Sequence, residues 1–272
     1  MILIYFFILF ILTGFVTSSC DCCGECKIPQ ESSCPEIKYV TDGLSGSGGL
    51  SRYWNCCKPR CASTTIAGAG NETRQCDSYM HRLFDYSATS KCDGGSATAC
   101  FSQVPFLIDG CDNIGFAFGA VPSLGCGKCF LLEFTGKGAF TTKGNHRALK
   151  TKKLIMMAID KSFHASDGTF EILVPGGGVG MYKDGCLGVF STDIGDTWGG
   201  LLSVCDAEDG LIDTEEHNNA RKQCLVKKCT EAFTGEAREG CLFYSYFLEA
   251  AGEPTFTYKE IECPQVLKDK YN

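Results

Sequence analysis

Short apolar segments recur along the chain between glycine-rich and polar connections. Four of them have the length of a β-strand, and they cover residues 130–135, 153–159, 169–174 and 255–261. In the last segment apolar side chains alternate with polar ones, as expected of a strand with one buried face. The 32 glycines fall mainly in the connections. The pattern predicts a mainly β fold with a few short helices, and by itself it leaves a barrel and a sandwich open.

Helical patterns are fewer and shorter than the strand patterns. We predict helices over 77–86 and 214–228, whereas the aromatic residues of 241–248 fit either a helix or a strand. The glycine-rich stretch 43–50 is typical of a flexible linker or a turn.

The first 19 residues are almost wholly apolar and end in small residues, as a secretory signal peptide does. We expect cleavage near Ser18 or Ser19. A membrane anchor is the alternative, but the run is slightly short for a spanning helix and no basic flank follows it. Residues 20–38 hold five cysteines and form a predicted cysteine-rich extension, followed by a single main domain over 39–272.

Cysteine is unusually abundant: all 20 cysteines follow the apolar leader. An even number of cysteines in a secreted chain indicates a disulfide framework, although spacing alone leaves the pairing open. The competing interpretation is a metal site, for which Cys126 and Cys129 have tolerable spacing. We predict structural disulfides and no metal.

The net charge of -7 argues against nucleic acid and anionic membrane surfaces as partners, since both require a basic face. A neutral ligand suits the chain better, and we expect a secreted monomer without a membrane contact after leader removal. Asn71, Glu72 and Thr73 form a glycosylation sequon that agrees with secretion.

The most informative run is Arg-Tyr-Trp-Asn-Cys-Cys-Lys-Pro-Arg-Cys over residues 52–61. It resembles the active-site motif of glycoside hydrolase family 45, whose members are inverting endo-β-1,4-glucanases. Further elements resemble that family in the same order, and they lie at 92–100, 103–106, 170–180, 198–200, 254–257 and 263–264. The resemblance implies a six-stranded double-psi β-barrel over 39–272, a cellulose-like β-glucan substrate and no cofactor.

The resemblance also assigns the catalytic residues. An inverting glycosidase needs one carboxylic acid to protonate the leaving oxygen and one carboxylate to activate water. The acid falls on Glu171, where the family has aspartate. The base falls on Asn55, which has no carboxylate. Three explanations stay open: the protein binds or loosens polysaccharide without hydrolysis, Asp167 replaces the base, or Asn55 acts as an imidic acid tautomer.

Sugar binding requires aromatic faces and hydrogen-bond donors beside the acid. The resemblance makes Tyr53, Trp54, Lys58 and Trp198 the candidates. The glycine-rich run 175–180 lacks the Lys-Ser or Lys-Thr of a phosphate loop, so we expect its glycines to permit a tight turn and close backbone approach at the cleft floor.

Overall fold

The computed structural model describes residues 34–123, 125–162, 168–186, 188–190, 194–206 and 212–272. The predicted signal peptide, most of the cysteine-rich extension and Asp167 lie outside these residues. These described residues contain eight strands: β1 (Ser45–Tyr53), β2 (Gln75–Cys76), β3 (Arg82–Leu83), β4 (Ile114–Val121), β5 (Cys129–Gly138), β6 (Lys153–Lys161), β7 (Phe170–Leu173) and β8 (Pro254–Ile261). The α-helices are α1 (Thr64–Ala67), α2 (Gly144–Ala148), α3 (Gly200–Asp206), α4 (Glu215–Ala232), α5 (Gly235–Tyr246) and α6 (Gln265–Tyr271).

Six of the strands close into a barrel in the order β1-β7-β4-β6-β5-β8, while β2 and β3 form a separate hairpin. The pairs β1–β7 and β4–β6 are parallel, and the other four pairs are antiparallel. This ring confirms the predicted mainly β barrel and excludes the sandwich. The double-psi connection stays a prediction of the resemblance.

Aromatic side chains fill the inside of the ring. Phe130, Phe170 and Phe256 come from three different strands and are all buried. The Phe170 ring lies 5.4 Å from the Phe130 ring and 5.2 Å from the Phe256 ring, with the planes close to perpendicular. Such edge-to-face pairs add to the free energy gained by burying apolar surface. Since Phe170 and Ile172 belong to this core, the side chain of Glu171 between them points to the outer face of the barrel.

The stretch 43–50 is not a linker, and this prediction is wrong. It contributes most of β1, which pairs with both β7 and β8. Gly46 and Gly48 in this stretch are required by packing rather than by flexibility. A Cβ on Gly48 would lie 1.9 Å from the carbonyl oxygen of Gly168, and one on Gly46 would lie 3.0 Å from the Tyr258 hydroxyl. A glycine-rich strand forms here because neighbouring backbone approaches it closely.

The predicted helix over 77–86 is also wrong, because this segment turns back to form the β2–β3 hairpin. The Asp77 carboxylate accepts hydrogen bonds from the backbone N–H groups of Tyr79 and His81, which stabilises a turn in place of a helix. Met80 in this turn has a positive φ of 67°. An aspartate at the start of the segment therefore decides the local structure against the helical pattern.

The predicted helix over 214–228 is confirmed as α4. The Thr214 side chain caps α4 by accepting a hydrogen bond from the His217 N–H, and Glu215 and Glu216 lie in the first turn, where negative charge stabilises a helix. The ambiguous segment 241–248 lies largely in α5. Among the residues described, no helix combines the length and the apolar character needed to cross a membrane.

Disulfides connect the barrel to its loops. The sixteen cysteines of the described residues form eight bonds: 34–111, 56–186, 57–92, 61–126, 76–100, 129–263, 205–224 and 229–241. The predicted structural disulfides are thus present, and Cys126 and Cys129 belong to two different bonds rather than to a metal site. The Cys34–Cys111 bond ties the last cysteine of the predicted N-terminal extension to the loop before β4.

Candidate active site

A cavity of about 390 Å³ lies against the outer face of the barrel. Its floor is formed where β6, β4, β7 and β1 run side by side, and its walls come from the loops around 177–182 and 197–199. Three carboxylic side chains line it among the described residues: Asp160, Glu171 and Glu253. It is large enough to hold part of an extended carbohydrate chain.

Strand register places two of these carboxylic residues in one row. Asp160 on β6 pairs with Ala120 on β4, and Ala120 pairs in turn with Glu171 on β7. Paired residues on neighbouring strands point to the same face of a sheet, so both carboxylic side chains enter the cavity with only the Ala120 methyl group between them. Two strand spacings correspond to about 9–10 Å between the Cα atoms of Asp160 and Glu171.

A bulge sets this register. Gly119 pairs with Ala158, whereas the next residue, Ala120, pairs with Asp160, so Ile159 has no partner of its own on β4. An extra residue of this kind changes the direction of the side chains that follow it, and bulges are frequent beside active sites. The bulge therefore brings Asp160 into line with Glu171.

Asp160 is mostly buried, with a side chain that is 19% exposed. Its Oδ1 atom accepts a hydrogen bond of 2.8 Å from the Lys161 N–H and lies 3.5 Å from Nε of Arg60. Burial raises the pKa of Asp160 to about 6, and the charge of Glu171 adds to the rise, while Lys161 and Arg60 oppose it. The Asp160 carboxyl group thus changes its protonation state in the mildly acidic range.

Tyr53 lies at the end of β1 and is half-buried in the cavity wall. Burial raises the pKa of its phenol well above the usual value, and the nearby charges of Asp160 and Glu171 raise it further. The phenol is therefore a neutral hydrogen-bond group close to both carboxylic residues.

Asn55 also lines the cavity, in a segment held by two disulfides from Cys56 and Cys57. Cys56 has a positive φ of 55°, which marks the sharp turn of this segment. The Asn55 Oδ1 atom accepts a hydrogen bond of 3.0 Å from the Cys57 N–H. The side chain thus shows the bonding of an ordinary amide, whose nitrogen is a donor and a very poor proton acceptor.

The cavity wall that carries Trp198 is built from two interlocked glycine turns. A Cβ on Gly200 would lie 1.8 Å from the carbonyl oxygen of Gly176, so the two backbones meet directly. The Gly180 N–H donates to the Thr197 carbonyl, and Arg52 Nε donates to the Gly199 carbonyl. The expected close backbone approach of the 175–180 glycines is present. It leaves Trp198 67% exposed at the cavity, with an indole face available for contact.

Comparison with known proteins decides the family. The sequence profile of "Glycosyl hydrolase family 45" matches residues 47–216, which is more than half of the chain. The chain belongs to glycosyl hydrolase family 45. This matched region includes Asn55, Asp160, Glu171 and Trp198 and every other residue that lines the cavity except Glu253.

Individual relatives agree with this family 45 membership. "Endoglucanase B" of Cellvibrio japonicus (strain Ueda107) is 32% identical over 230 residues, which are 81% of this chain and 44% of that protein. A relative from Fusarium oxysporum is 28% identical over 238 residues, 85% of this chain and 54% of its own length. The chain thus spans about half the length of these two curated relatives. The crystal structure of the cellulase from the Antarctic springtail, Cryptopygus antarcticus, superposes with a TM-score of 0.65 at 26% identity, covering 84% of this chain and 96% of that chain.

The structure brings together Glu171, Asn55, Tyr53 and Trp198 of the residues predicted from the family 45 resemblance, and it keeps two others apart. Trp54 is only 1% exposed and packs against Phe101 with 5.5 Å between ring centroids. Its ring has no face left for a sugar, because a tryptophan beside two disulfides becomes core here. Asp167 lies outside the described residues.

Lys58 is the second predicted substrate-binding residue that does not line the cavity. Its Nζ atom donates hydrogen bonds of 2.6 Å to the Tyr86 carbonyl and 2.9 Å to the Ala88 carbonyl. The ammonium group therefore holds the loop after the β2–β3 hairpin in place, which corrects its predicted role.

Sequence reasoning missed Asp160 altogether. The available signal was its position directly after the apolar strand segment 153–159, since an acidic residue at a strand end is a frequent site residue. Met181 and Tyr182 also line the cavity. Their signal in the sequence was their position directly after the glycine run 175–180.

Proposed function

We propose that the protein is a secreted endo-β-1,4-glucanase that hydrolyses internal bonds of cellulose or a related β-glucan with inversion at the anomeric carbon. Glu171 serves as the general acid that protonates the leaving oxygen. The observation that carries the proposal is the position of Glu171 in a 390 Å³ cavity whose walls include Tyr53 and the exposed Trp198. A proton donor beside aromatic faces is the arrangement that glycosidic bond cleavage requires.

Substrate binding is assigned to three residues of the cavity. Trp198 offers an exposed aromatic face to the apolar side of a glucose ring, and the neutral phenol of Tyr53 exchanges hydrogen bonds with sugar hydroxyl groups. The Asn55 amide adds a hydrogen-bond donor. A neutral glucan suits this site, because the chain as a whole is acidic and would repel anionic polymers.

Secretion is supported by the eight disulfides of the described residues, since such bonds persist in oxidising compartments. The apolar leader over residues 1–19 supports the same proposal.

The test is hydrolysis of a soluble β-1,4-glucan by the purified chain, followed by release of reducing ends, loss of viscosity and the anomeric configuration of the first product by NMR. We expect rapid viscosity loss and α-configured new reducing ends. Glu171→Gln should lower kcat by about 10²–10⁴-fold. Glu253→Gln is the matched control, because Glu253 lines the same cavity outside the Asp160–Glu171 row.

A second candidate is a non-hydrolytic relative that binds or loosens cell-wall polysaccharide. The observation in its favour is the ordinary amide bonding of Asn55 at the position that the family resemblance assigns to the base. In that case the chain would bind glucan oligosaccharides, but its release of reducing ends would equal that of Glu171→Gln.

A further inference from the structure

We propose that Asp160 is the general base of this site, the group that activates the attacking water opposite Glu171. The inference rests on the proposed hydrolase function and supplies the carboxylate that Asn55 lacks. It is carried by geometry: Asp160 and Glu171 flank Ala120 in one row across three strands and face the same cavity.

The strand spacing is compatible with an inverting mechanism. It puts the two Cα atoms about 9–10 Å apart, and from these positions side chains that face the same cavity can hold their carboxyl groups about 6.5–9.5 Å apart, as inverting glycosidases do. Such a gap leaves room for a water molecule beside the sugar. The Ala120 methyl group between the two residues leaves this gap open, because it is the smallest side chain that a strand residue other than glycine can carry.

The surroundings of Asp160 suit a base. Arg60 Nε at 3.5 Å and the Lys161 N–H favour the charged carboxylate, whereas burial raises its affinity for a proton. A carboxylate with both features is ionised near neutral pH and is still a stronger base than an exposed aspartate.

Two other residues fit the role less well. The Asn55 Oδ1 atom accepts a hydrogen bond from the Cys57 N–H. In an imidic acid this oxygen would carry a proton and would need an acceptor as its partner, whereas the Cys57 N–H is a donor. The charge of Glu253 raises the pKa of Tyr244, whose ring lies under Arg52. The charges of Asp160 and Glu171 act instead on the phenol of Tyr53 and raise its pKa. Glu253 therefore belongs to another part of the cavity.

The reaction step balances as follows. The Asp160 carboxylate takes a proton from water while the water oxygen bonds to the anomeric carbon from the face opposite the leaving sugar. The bond between that carbon and the leaving oxygen breaks as Glu171 gives its proton to the oxygen. Asp160 ends protonated and Glu171 ends ionised, and exchange with solvent restores both.

The experiment compares Asp160→Asn, Glu171→Gln and Glu253→Gln in the full chain on two substrates. One is a soluble β-1,4-glucan, and the other is a 2,4-dinitrophenyl cello-oligosaccharide, whose leaving group departs without a proton. Loss of the base should lower kcat by about 10²–10⁴-fold on both substrates, whereas loss of the acid should lower it mainly on the glucan. Circular dichroism and oligosaccharide binding report whether each variant is folded.

A gain-of-signal variant completes the test. Asp160→Ala leaves space for azide, which needs no base, so added azide should restore turnover of the dinitrophenyl substrate and give the α-glycosyl azide. Three results would overturn the assignment: an unchanged kcat in Asp160→Asn, a loss confined to the glucan, or a marked rise in kcat in Asn55→Asp. If the unmodified chain released no reducing ends, the hydrolase proposal would fail first and the base role with it.

Discussion

Asp160 and Glu171 lie on the same face of the barrel, and Ala120 on the strand between them is the single residue that separates them. The two acidic residues are 11 positions apart in the sequence. The pairing is a property of the sheet and not of either strand. It depends on a bulge at Ile159, without which the register at Asp160 would differ.

The gap over Ala120 should be necessary for turnover. Ala120→Leu would place a branched side chain between the two carboxyl groups, so we expect kcat/KM on a soluble β-glucan to fall by at least about tenfold, which corresponds to ~1.4 kcal/mol in transition-state binding. Ala120→Gly is the control, since it keeps the gap open. Equal activity of the two variants would contradict a substrate or water position at this point.

Asp160 should lower the stability of the fold at neutral pH. Its pKa is raised to about 6 in the folded chain, and an unfolded aspartate has a pKa of about 3.9. Below the unfolded value both states are protonated, so the folded state bears no penalty. As pH rises towards 6 the unfolded chain loses this proton first, which lowers the free energy of unfolding.

Asp160→Asn removes this titration. Its stability relative to the unmodified chain should therefore increase between about pH 4 and pH 6, by roughly 3 kcal/mol in all, and level off above that range. Urea unfolding of both proteins at a series of pH values measures the difference. A difference that did not change with pH would contradict the raised pKa.

The two tryptophans should behave in opposite ways. Trp198 is exposed at the cavity, so Trp198→Ala should weaken binding of a cello-oligosaccharide by about tenfold while thermal stability stays near that of the unmodified chain. Trp54 is buried against Phe101, so Trp54→Ala should cost about 3–5 kcal/mol of stability. Titration calorimetry and thermal unfolding on both variants separate the roles, and similar stability losses would contradict them.

Adjacent glycines of β1 offer a matched pair for the packing of the strand. A Cβ on Gly48 would lie 1.9 Å from the Gly168 carbonyl oxygen, whereas one on Gly49 would have its nearest contact at 3.9 Å, the Ala139 Cβ. Gly48→Ala should lower the free energy of unfolding by about 3 kcal/mol. Gly49→Ala should leave it unchanged or raise it by up to ~1 kcal/mol, because alanine restricts the unfolded chain. Denaturant unfolding of both variants checks this, and equal values would show that the backbone contact is absent.

Features that are local, or that belong to ordered motifs, were predictable from the amino-acid sequence. Apolar periodicity identified the strands at 130–135, 153–159, 169–174 and 255–261, and the helical pattern over 214–228 identified α4. The motif around 52–61 and the glycine run at 175–180 identified the family and two parts of the cavity lining. These features can be recognised in the sequence because strand alternation, helical periodicity and glycine turns depend on residues that are close together in the chain.

Features that depend on contacts between segments distant in the sequence became visible only in the folded structure. Glycines at 46 and 48 form a strand because Tyr258 and Gly168 approach them, and Trp54 became core because Phe101 covers it. Lys58 binds loop carbonyls rather than the cavity. Asp160 became a site residue because a bulge and two strand pairings bring it beside Glu171. Register between strands is set by packing across the whole barrel, so no segment of the sequence contains it.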